Sequence, residues 1–127
     1  MKLSEAILLG SIETEQAFGR LHDWRGGTCA YGAALTAAGC LCIDKTMAFG
    51  TFVPKVMALP IVWKWAFIKR YECPDCHKSD GVALSVITHL NDTHFWTRPR
   101  IAEWVAQQER KLEEVSPVME EVQYAVK

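Results

Sequence analysis

The sequence predicts a small, mainly α-helical single domain, with a small β element near residues 61–76 as an option (α+β). Half of its 127 residues are apolar and 23% are charged, which suits a soluble globular chain that buries one core. Residues with helical caps and stops divide most of the chain into short helices. Two cysteines and two histidines in one short stretch suggest a metal site. We therefore expect an N-terminal helical part (1–60), a zinc-finger-like segment (61–96) and C-terminal helices (97–127).

The N-terminal part begins with patterns typical of two short helices. A serine N-cap predicts a helix over Ser4–Leu9, and Gly10 is expected to end it. A second amphipathic helix is predicted over Glu13–Arg20, with two residues facing inward, Ala17 and Phe18.

A third helix is the expected packing centre of this part. Thr28 is its predicted N-cap, the helix covers Cys29–Ala38, and Gly39 ends it. Because its residues are small and apolar on nearly all sides, we expect it to be buried and to let neighbouring helices approach closely.

The segment Cys40–Tyr71 is divided by glycine and proline into short pieces. Within it, Ile61–Arg70 alternates tryptophan and phenylalanine with other residues, a period typical of a strand, but a helix after Pro60 fits almost as well. Both structures remain open for this stretch.

The C-terminal half has a clearer helical period. Ser79–Gly81 is expected to form a turn and helix start, followed by a helix over Val82–Leu90 with one buried face: Ala83, Val86, Ile87 and Leu90. Thr97 is the predicted cap of a long helix whose inner stripe comprises Ile101, Trp104, Val105, Gln108, Leu112 and Val115. Ser116-Pro117 is expected to start a separate last helix.

The potential metal ligands follow the spacing C-x2-C-x12-H-x4-H, which is typical of tetrahedral zinc: Cys73, Cys76, His89 and His94. Residues five apart on a regular helix point about 140° apart, so the helix must loosen or end between the histidines if they are to bind one ion. Asn91-Asp92 is the predicted break, since asparagine tolerates a left-handed helix terminus. Further candidate ligands are His77, Cys40 and Cys42.

Four protein ligands would leave no open position for water, so the predicted zinc is structural. A free-standing ββα finger usually has a large aromatic residue four positions after its second cysteine, where this chain has Asp80. We therefore expect the metal to stabilise a larger helical domain.

The cysteine count and the apolar tracts suggest a cytoplasmic protein. Five cysteines are an odd number, and the apolar core of Met1–Gly10 is too short for a signal peptide, which favours reduced thiols over a disulfide framework. The longest apolar tract, Met47–Ile68, is interrupted by prolines and lysines, so no membrane span is expected.

Two other functions compete with a purely structural metal site. Cys29, at a helix N-terminus, would be the nucleophile of a thiol enzyme, with His22 or His89 as base and an aspartate as orienter, Asp23 or Asp92; a buried packing residue is the favoured alternative. Arg98 and Arg100, at the start of a helix, would contact DNA or RNA. A net charge of −1 counts against a nucleic-acid partner.

Three stretches together resemble a family of small, uncharacterised bacteriophage and prophage proteins. They are Leu3–Ile7 with Gly10, Thr28–Ala34 with Gly39, and the cysteine pair followed by His89–His94, Trp96–Arg98 and Ile101–Val105. The resemblance implies action in the bacterial cytoplasm and use of the cysteines and histidines as one unit. It implies no activity.

Together these observations predict a non-enzymatic phage accessory protein that contains structural zinc and binds another macromolecule. A protein partner is favoured and nucleic acid is the alternative.

Overall fold

The computed structural model describes residues 1–21, 26–44, 51–54 and 59–126. Five helices and two hairpins form this part of the chain, which confirms the mainly α class with small β elements. The helices are α1 (Leu3–Glu13), α2 (Ala30–Ala37), α3 (Trp65–Ile68), α4 (Ala83–Asp92) and α5 (Arg98–Val126), with a 3₁₀ turn at Ile61–Trp63. The strands are β1 (Leu41–Asp44), β2 (Thr51–Pro54), β3 (Arg70–Glu72) and β4 (Ser79–Val82).

Both sheets are antiparallel pairs of strands. In the first, Leu41 of β1 lies opposite Pro54 of β2. In the second, Arg70 of β3 lies opposite Val82 of β4, with an irregularity after Tyr71. Strand β4 corrects the predicted turn and helix start at Ser79–Gly81, because these residues pair with β3 before α4 begins.

The stretch 61–70, for which strand and helix were both open, is helical up to Ile68. Trp63 and Ala66, three residues apart, are both fully buried, whereas Ile61 and Ile68 face solvent. That spacing places the buried pair on one helical face, which alternation along a strand would not do. The indole nitrogen of Trp63 donates to the carbonyl of Met1 at 3.0 Å.

Helix α1 extends past Gly10, which corrects the prediction that this glycine ends it. A Cβ at Gly10 would lie 1.9 Å from the carbonyl oxygen of Ala33 in α2. Only glycine allows the two backbones to come this close. Gly10 is therefore a contact point between α1 and α2. This agrees with the prediction that the small residues of α2 let a neighbouring helix approach closely.

The helix predicted over Glu13–Arg20 is absent. This segment leaves α1 and runs beside Thr28 as an isolated parallel bridge, in which Ala17 donates to the carbonyl of Thr28 at 2.9 Å. Ala17 is buried as expected, but Phe18 is 46% exposed. The amphipathic pattern of this segment favours a helix, but its backbone pairs with Thr28 instead.

Two predicted helix starts also differ in detail. Cys29, not Thr28, is the N-cap of α2, and its sulfur accepts from Gly32 N at 3.4 Å. Ser4 lies inside the first turn of α1, where its backbone N–H and hydroxyl both bind the buried carboxylate of Glu109 in α5. The first N–H groups of a helix have no partner within the helix. Here Glu109 of α5 supplies the acceptor for one of them at the start of α1.

The core lies between α1, α2, α4 and the first half of α5. All four residues predicted to form the buried face of α4 are fully buried, and Ile101 and Val105 of α5 are buried with them. The Thr97 hydroxyl accepts from Arg100 N at 3.3 Å, which confirms the predicted cap of α5.

Helix α5 is continuous to Val126, so the separate last helix predicted at Ser116-Pro117 is wrong. A proline removes one backbone hydrogen bond and can bend a helix without ending it. In the described part of the chain, no helix is both long enough and apolar enough to cross a lipid bilayer.

Candidate metal centre

The two cysteines lie in the connection between β3 and β4. His77 N–H donates to the carbonyl of Cys73 at 2.9 Å, and Cys73 N–H donates to the carbonyl of Lys78 at 2.8 Å. These bonds close a tight turn in which His77 has a left-handed backbone, with φ 64°. The hairpin therefore holds the thiols of Cys73 and Cys76 on the same side of the turn.

The two histidines lie at the other end of the next helix. His89 is in the last turn of α4, and His94 follows the helix end at Asp92. The N–H groups of Thr93 and His94 both donate to the carbonyl of His89, at 2.9 and 3.3 Å, so the chain tightens and turns back. The predicted break between the histidines is confirmed, although the left-handed residue is Phe95 (φ 54°) and not Asn91.

Asn91 has a different role from the predicted one. It is fully buried in α4, and its side chain binds the carbonyl of Ala17 at 2.9 Å and the amide of Gln16 at 3.0 Å. Gln16 also donates to the carbonyl of Trp96 at 2.8 Å. These bonds fix the end of α4, and with it His89, against the segment that follows α1.

The four predicted ligands meet in one place, which we call the Cys2His2 cluster. Its potential ligand atoms all lie within 4.8 Å of one another: Cys73, Cys76, His89 and His94. The Nε2 atoms of the two histidines are 3.0 Å apart, and Sγ of Cys76 is 3.4 Å from Nε2 of His89. A tetrahedral zinc ion gives edges of about 3.3 Å between two nitrogens and about 3.6 Å between nitrogen and sulfur. The N–N distance and the N–S distance given above are close to these edges, so the cluster could bind a metal ion.

The order of elements around the cluster is that of a ββα zinc finger, with cysteines at a hairpin and histidines at the end of the following helix. Such a finger usually has a large aromatic residue where this chain has Asp80. Here aromatic residues of neighbouring elements pack against the finger-like segment instead. Tyr71 of β3 contacts Trp65 of α3 and Trp104 of α5 edge to face, with ring centroids 5.9 and 5.7 Å apart. The finger-like segment therefore shares its core with the rest of the protein.

Burial raises the pKa of the Cys73 thiol, and the adjacent thiol of Cys76 raises it further. Cys73 is fully buried, so its thiolate is unfavourable without a cation. A bound divalent metal reverses this preference, because its charge stabilises the thiolate directly.

One residue that the sequence analysis did not single out touches this cluster. Oδ2 of Asp75, between the two cysteines, lies 3.5 Å from Nδ1 of His94 and accepts from the indole N–H of Trp96 at 2.9 Å. The guanidinium of Arg100 lies 3.7 Å from the centre of the Trp96 ring. A carboxylate within the C-x2-C spacing is the sequence feature that could have suggested this contact.

The structure does not place the other candidate ligands in the cluster. His77 is exposed and lies 3.5 Å from Glu72, and Cys40 is a buried free cysteine elsewhere in the fold. Cys42 belongs to strand β1. His22 and Asp23, proposed as partners of Cys29, lie outside the described residues.

Arg98 is buried, which corrects the expectation that it presents a charge at the surface. Only 5% of it is exposed. One guanidinium nitrogen donates to the hydroxyls of Thr14 and Thr28, at 2.7 and 3.0 Å. The other donates to the carbonyls of Ser11, at 3.2 Å, and Thr14. Arg98 thus caps the C-terminal end of α1, where free carbonyls and the helix dipole favour a cation.

Cys29 has the environment of a packing residue. It is 5% exposed. Burial raises the pKa of its thiol and outweighs the opposing effect of the Gly32 N–H, so little thiolate is present at neutral pH. His89, one of its predicted bases, belongs to the Cys2His2 cluster.

We predict that iodoacetamide at pH 7.5 alkylates Cys29 of the folded protein at least about tenfold more slowly than in the urea-unfolded chain, because both access and thiolate are reduced. Peptide mapping by mass spectrometry measures each cysteine separately, and Cys29→Ser identifies the peptide. Equal rates in the two states would instead support a reactive thiol.

The chain matches no protein-family model, and no curated protein or solved structure is significantly similar to it.

Proposed function

We propose that this chain is a zinc-stabilised, non-enzymatic accessory protein that binds a protein partner. The observation that carries the proposal is the convergence of two sulfur and two imidazole donors within 4.8 Å. Thiolate and imidazole in a compact four-donor set favour Zn²⁺ over Mg²⁺ or Ca²⁺, which prefer oxygen ligands.

The proposed zinc has a structural role. All four coordination positions would be filled by side chains, so no position is left for a water or substrate. The cluster joins the β3–β4 hairpin to the end of α4, two segments of a zinc-finger-like unit that shares its core with α5. Its expected contribution is to folding, since structural zinc sites hold such segments together.

The proposed partner surface is the outer side of α1, which we call the α1 apolar face: Leu8, Leu9 and Ile12. These residues are 46, 41 and 77% exposed, and together with Met1 and Glu5 they line a shallow groove. Helix α1 is apolar on both its buried and its exposed sides. Clustered exposed apolar residues are typical of protein-binding surfaces.

The charges beside this face favour a protein over nucleic acid. Glu5 lies in the groove, and the exposed Glu13 follows Ile12 at the end of α1. Lys2, a nearby cation, is paired with Glu113. An acidic border repels phosphates and complements a partner whose apolar contact residues are bordered by lysine or arginine.

The alternative of nucleic-acid binding has less support. In a DNA-binding ββα finger, the exposed side of the helix contacts the bases. Here the corresponding side of α4 carries Ser85 and Thr88 and no lysine or arginine, and Arg98 is buried under α1. The resemblance to phage and prophage proteins adds the proposal that the partner is found in the bacterial cytoplasm.

Metal analysis of the purified protein tests the first half of this proposal. We expect one zinc per chain, lost in His94→Ala and retained in His77→Ala, whose exposed histidine lies next to the cysteines but outside the cluster. Full zinc content in His94→Ala would overturn the assignment.

Binding experiments test the second half. Proteins captured from nuclease-treated bacterial lysate would be purified and titrated against wild type, Ile12→Lys and, as a matched control on the exposed side of α4, Thr88→Lys. We expect Ile12→Lys to bind the partner at least about tenfold more weakly than wild type, which corresponds to a contact residue that contributes over about 1 kcal/mol of binding free energy. Thr88→Lys should bind as wild type does. Equal loss in both variants, capture only from lysate that has not been treated with nuclease, or only self-association in sedimentation would each contradict the proposed face.

A further inference from the structure

We propose that Asp75 is a positioning residue for the metal site, an outer-sphere partner that orients the His94 imidazole toward the ion. The inference rests on the proposed function, since it assumes that the Cys2His2 cluster binds a metal. The new element is the role of Asp75, a residue that is not itself a ligand.

The His94 ring has one nitrogen inside the cluster and the other on its outer side. Its Nε2 faces Nε2 of His89 at 3.0 Å, inside the cluster, which leaves Nδ1 on the outer side. Oδ2 of Asp75 lies on that outer side, 3.5 Å from Nδ1. A metal-bound histidine usually donates its other ring N–H to a carboxylate, a carbonyl or water, which fixes the tautomer and makes the ligating nitrogen more basic.

Asp75 is itself held in place by a second contact. The same Oδ2 atom accepts the indole N–H of Trp96 at 2.9 Å. Trp96 is 8% exposed, and its ring is covered on one side by the guanidinium of Arg100. An exposed aspartate without such partners would rotate freely, whereas this one is directed at His94 by a nearly buried side chain.

The location of Asp75 gives these contacts a further consequence. It lies in the cysteine turn, while His94 and Trp96 belong to the connection between α4 and α5. The carboxylate thus joins the two halves of the ligand set independently of the ion. A site assembled in advance pays less ordering free energy when the ligand binds.

Zinc affinity, measured by competition with a chromophoric chelator, tests the proposal. We expect Asp75→Ala to bind zinc about 10–100-fold more weakly than wild type, the range found when outer-sphere partners of metal ligands are removed. Asp75→Asn should lose less, because its amide oxygen still accepts from Nδ1–H but carries no charge. Trp96→Phe keeps an aromatic ring under Arg100 and removes the donor to Asp75, so it should also lose less than Asp75→Ala.

The matched control is Glu72→Gln, which removes a carboxylate close to the cysteines that contacts His77 instead of a cluster residue. It should change zinc affinity by less than about twofold, since exposed charges act weakly. In NMR spectra of the zinc-bound wild type, the Nδ1 proton of His94 should be protected from solvent exchange, and this protection should be lost in Asp75→Ala. A purely structural role for Asp75 would not produce a selective loss at this proton.

The outcomes separate this inference from the proposal on which it rests. If wild type binds one zinc and His94→Ala does not, but Asp75→Ala and Glu72→Gln have equal affinities, the role of Asp75 is disproved and the metal site stands. If His94→Ala retains full zinc content, the metal site itself fails and the inference fails with it.

Discussion

Removal of the metal should cause the largest loss of stability in this protein. We expect Cys73→Ser to lose zinc and to melt at least about 20 °C below wild type, because a domain of this size loses about 4 °C in Tm per kcal/mol. Structural zinc contributes roughly 10–16 kcal/mol of apparent binding free energy in zinc-finger peptides, as much as the whole stability of a small domain. Differential scanning calorimetry of variant and wild type measures the change.

Chelation of the wild-type protein provides a second test that needs no substitution. An excess of chelator should lower Tm in the same way, and added zinc should restore it. His77→Ala is the control for the substitution and should keep the Tm of wild type. Its exposed histidine adjoins Cys76 but lies outside the cluster. An unchanged Tm in both Cys73→Ser and the chelated protein would contradict a stabilising metal.

Loss of the Arg98 side chain should have the second largest effect. We expect Arg98→Ala to reduce the free energy of unfolding by about 3–5 kcal/mol, because several buried hydrogen bonds to one charged group are lost together, each worth about 1.5–3 kcal/mol. The substitution removes the guanidinium donors from the hydroxyls of Thr14 and Thr28 and from the carbonyls at the end of α1. Unsatisfied buried acceptors each cost about 1–3 kcal/mol. Urea denaturation at constant m value measures the loss.

Two further variants test whether the loss of stability comes from the two guanidinium nitrogens of Arg98, which donate to separate acceptors. Arg98→Lys should recover only part of the stability, because one ammonium group cannot reach both sets of acceptors. Arg110→Ala removes an exposed arginine of the same helix that pairs with Glu103 at 3.3 Å, and it should change stability by no more than about 0.5 kcal/mol. Equal effects of Arg98→Ala and Arg110→Ala would show that Arg98 does not hold α1 and α5 together.

Periodic patterns in the sequence predicted α4 and the first part of α5 well. The buried face of α4 follows from apolar residues at helical spacing, and the start of α5 from a threonine cap. The Cys2His2 cluster was predictable for a related reason. A turn and a helix are regular, so spacing alone limits where their side chains can meet.

The N-terminal segment was less predictable because its local preferences are weak. Residues 13–20 have an amphipathic pattern, yet they pair with Thr28 and bind Asn91 through Gln16. Gly10 resembles a helix stop, but contact with Ala33 decides its use. In both cases a distant part of the chain supplies the deciding interaction, and no local pattern contains it.

Arg98 illustrates the same limit for function. Beside Arg100 it resembles a basic surface patch, whereas the fold buries it under the end of α1 and leaves Arg100 on the Trp96 ring. The contact of Asp75 with His94 likewise depends on how the cysteine turn meets the connection after α4. No spacing predicts the partners of Arg98, and the position of Asp75 between the cysteines suggests a contact with the cluster without identifying His94.

The sequence by itself determined the mainly helical class, the four candidate ligands and the helix end between the two histidines. These follow from short-range periodicity and from the fixed geometry of turns and helices. Only the tertiary structure decided which polar residues are buried, what orients His94 and which side of α1 remains exposed. Such features depend on contacts between residues far apart in the chain, and burial is a property of the assembled fold.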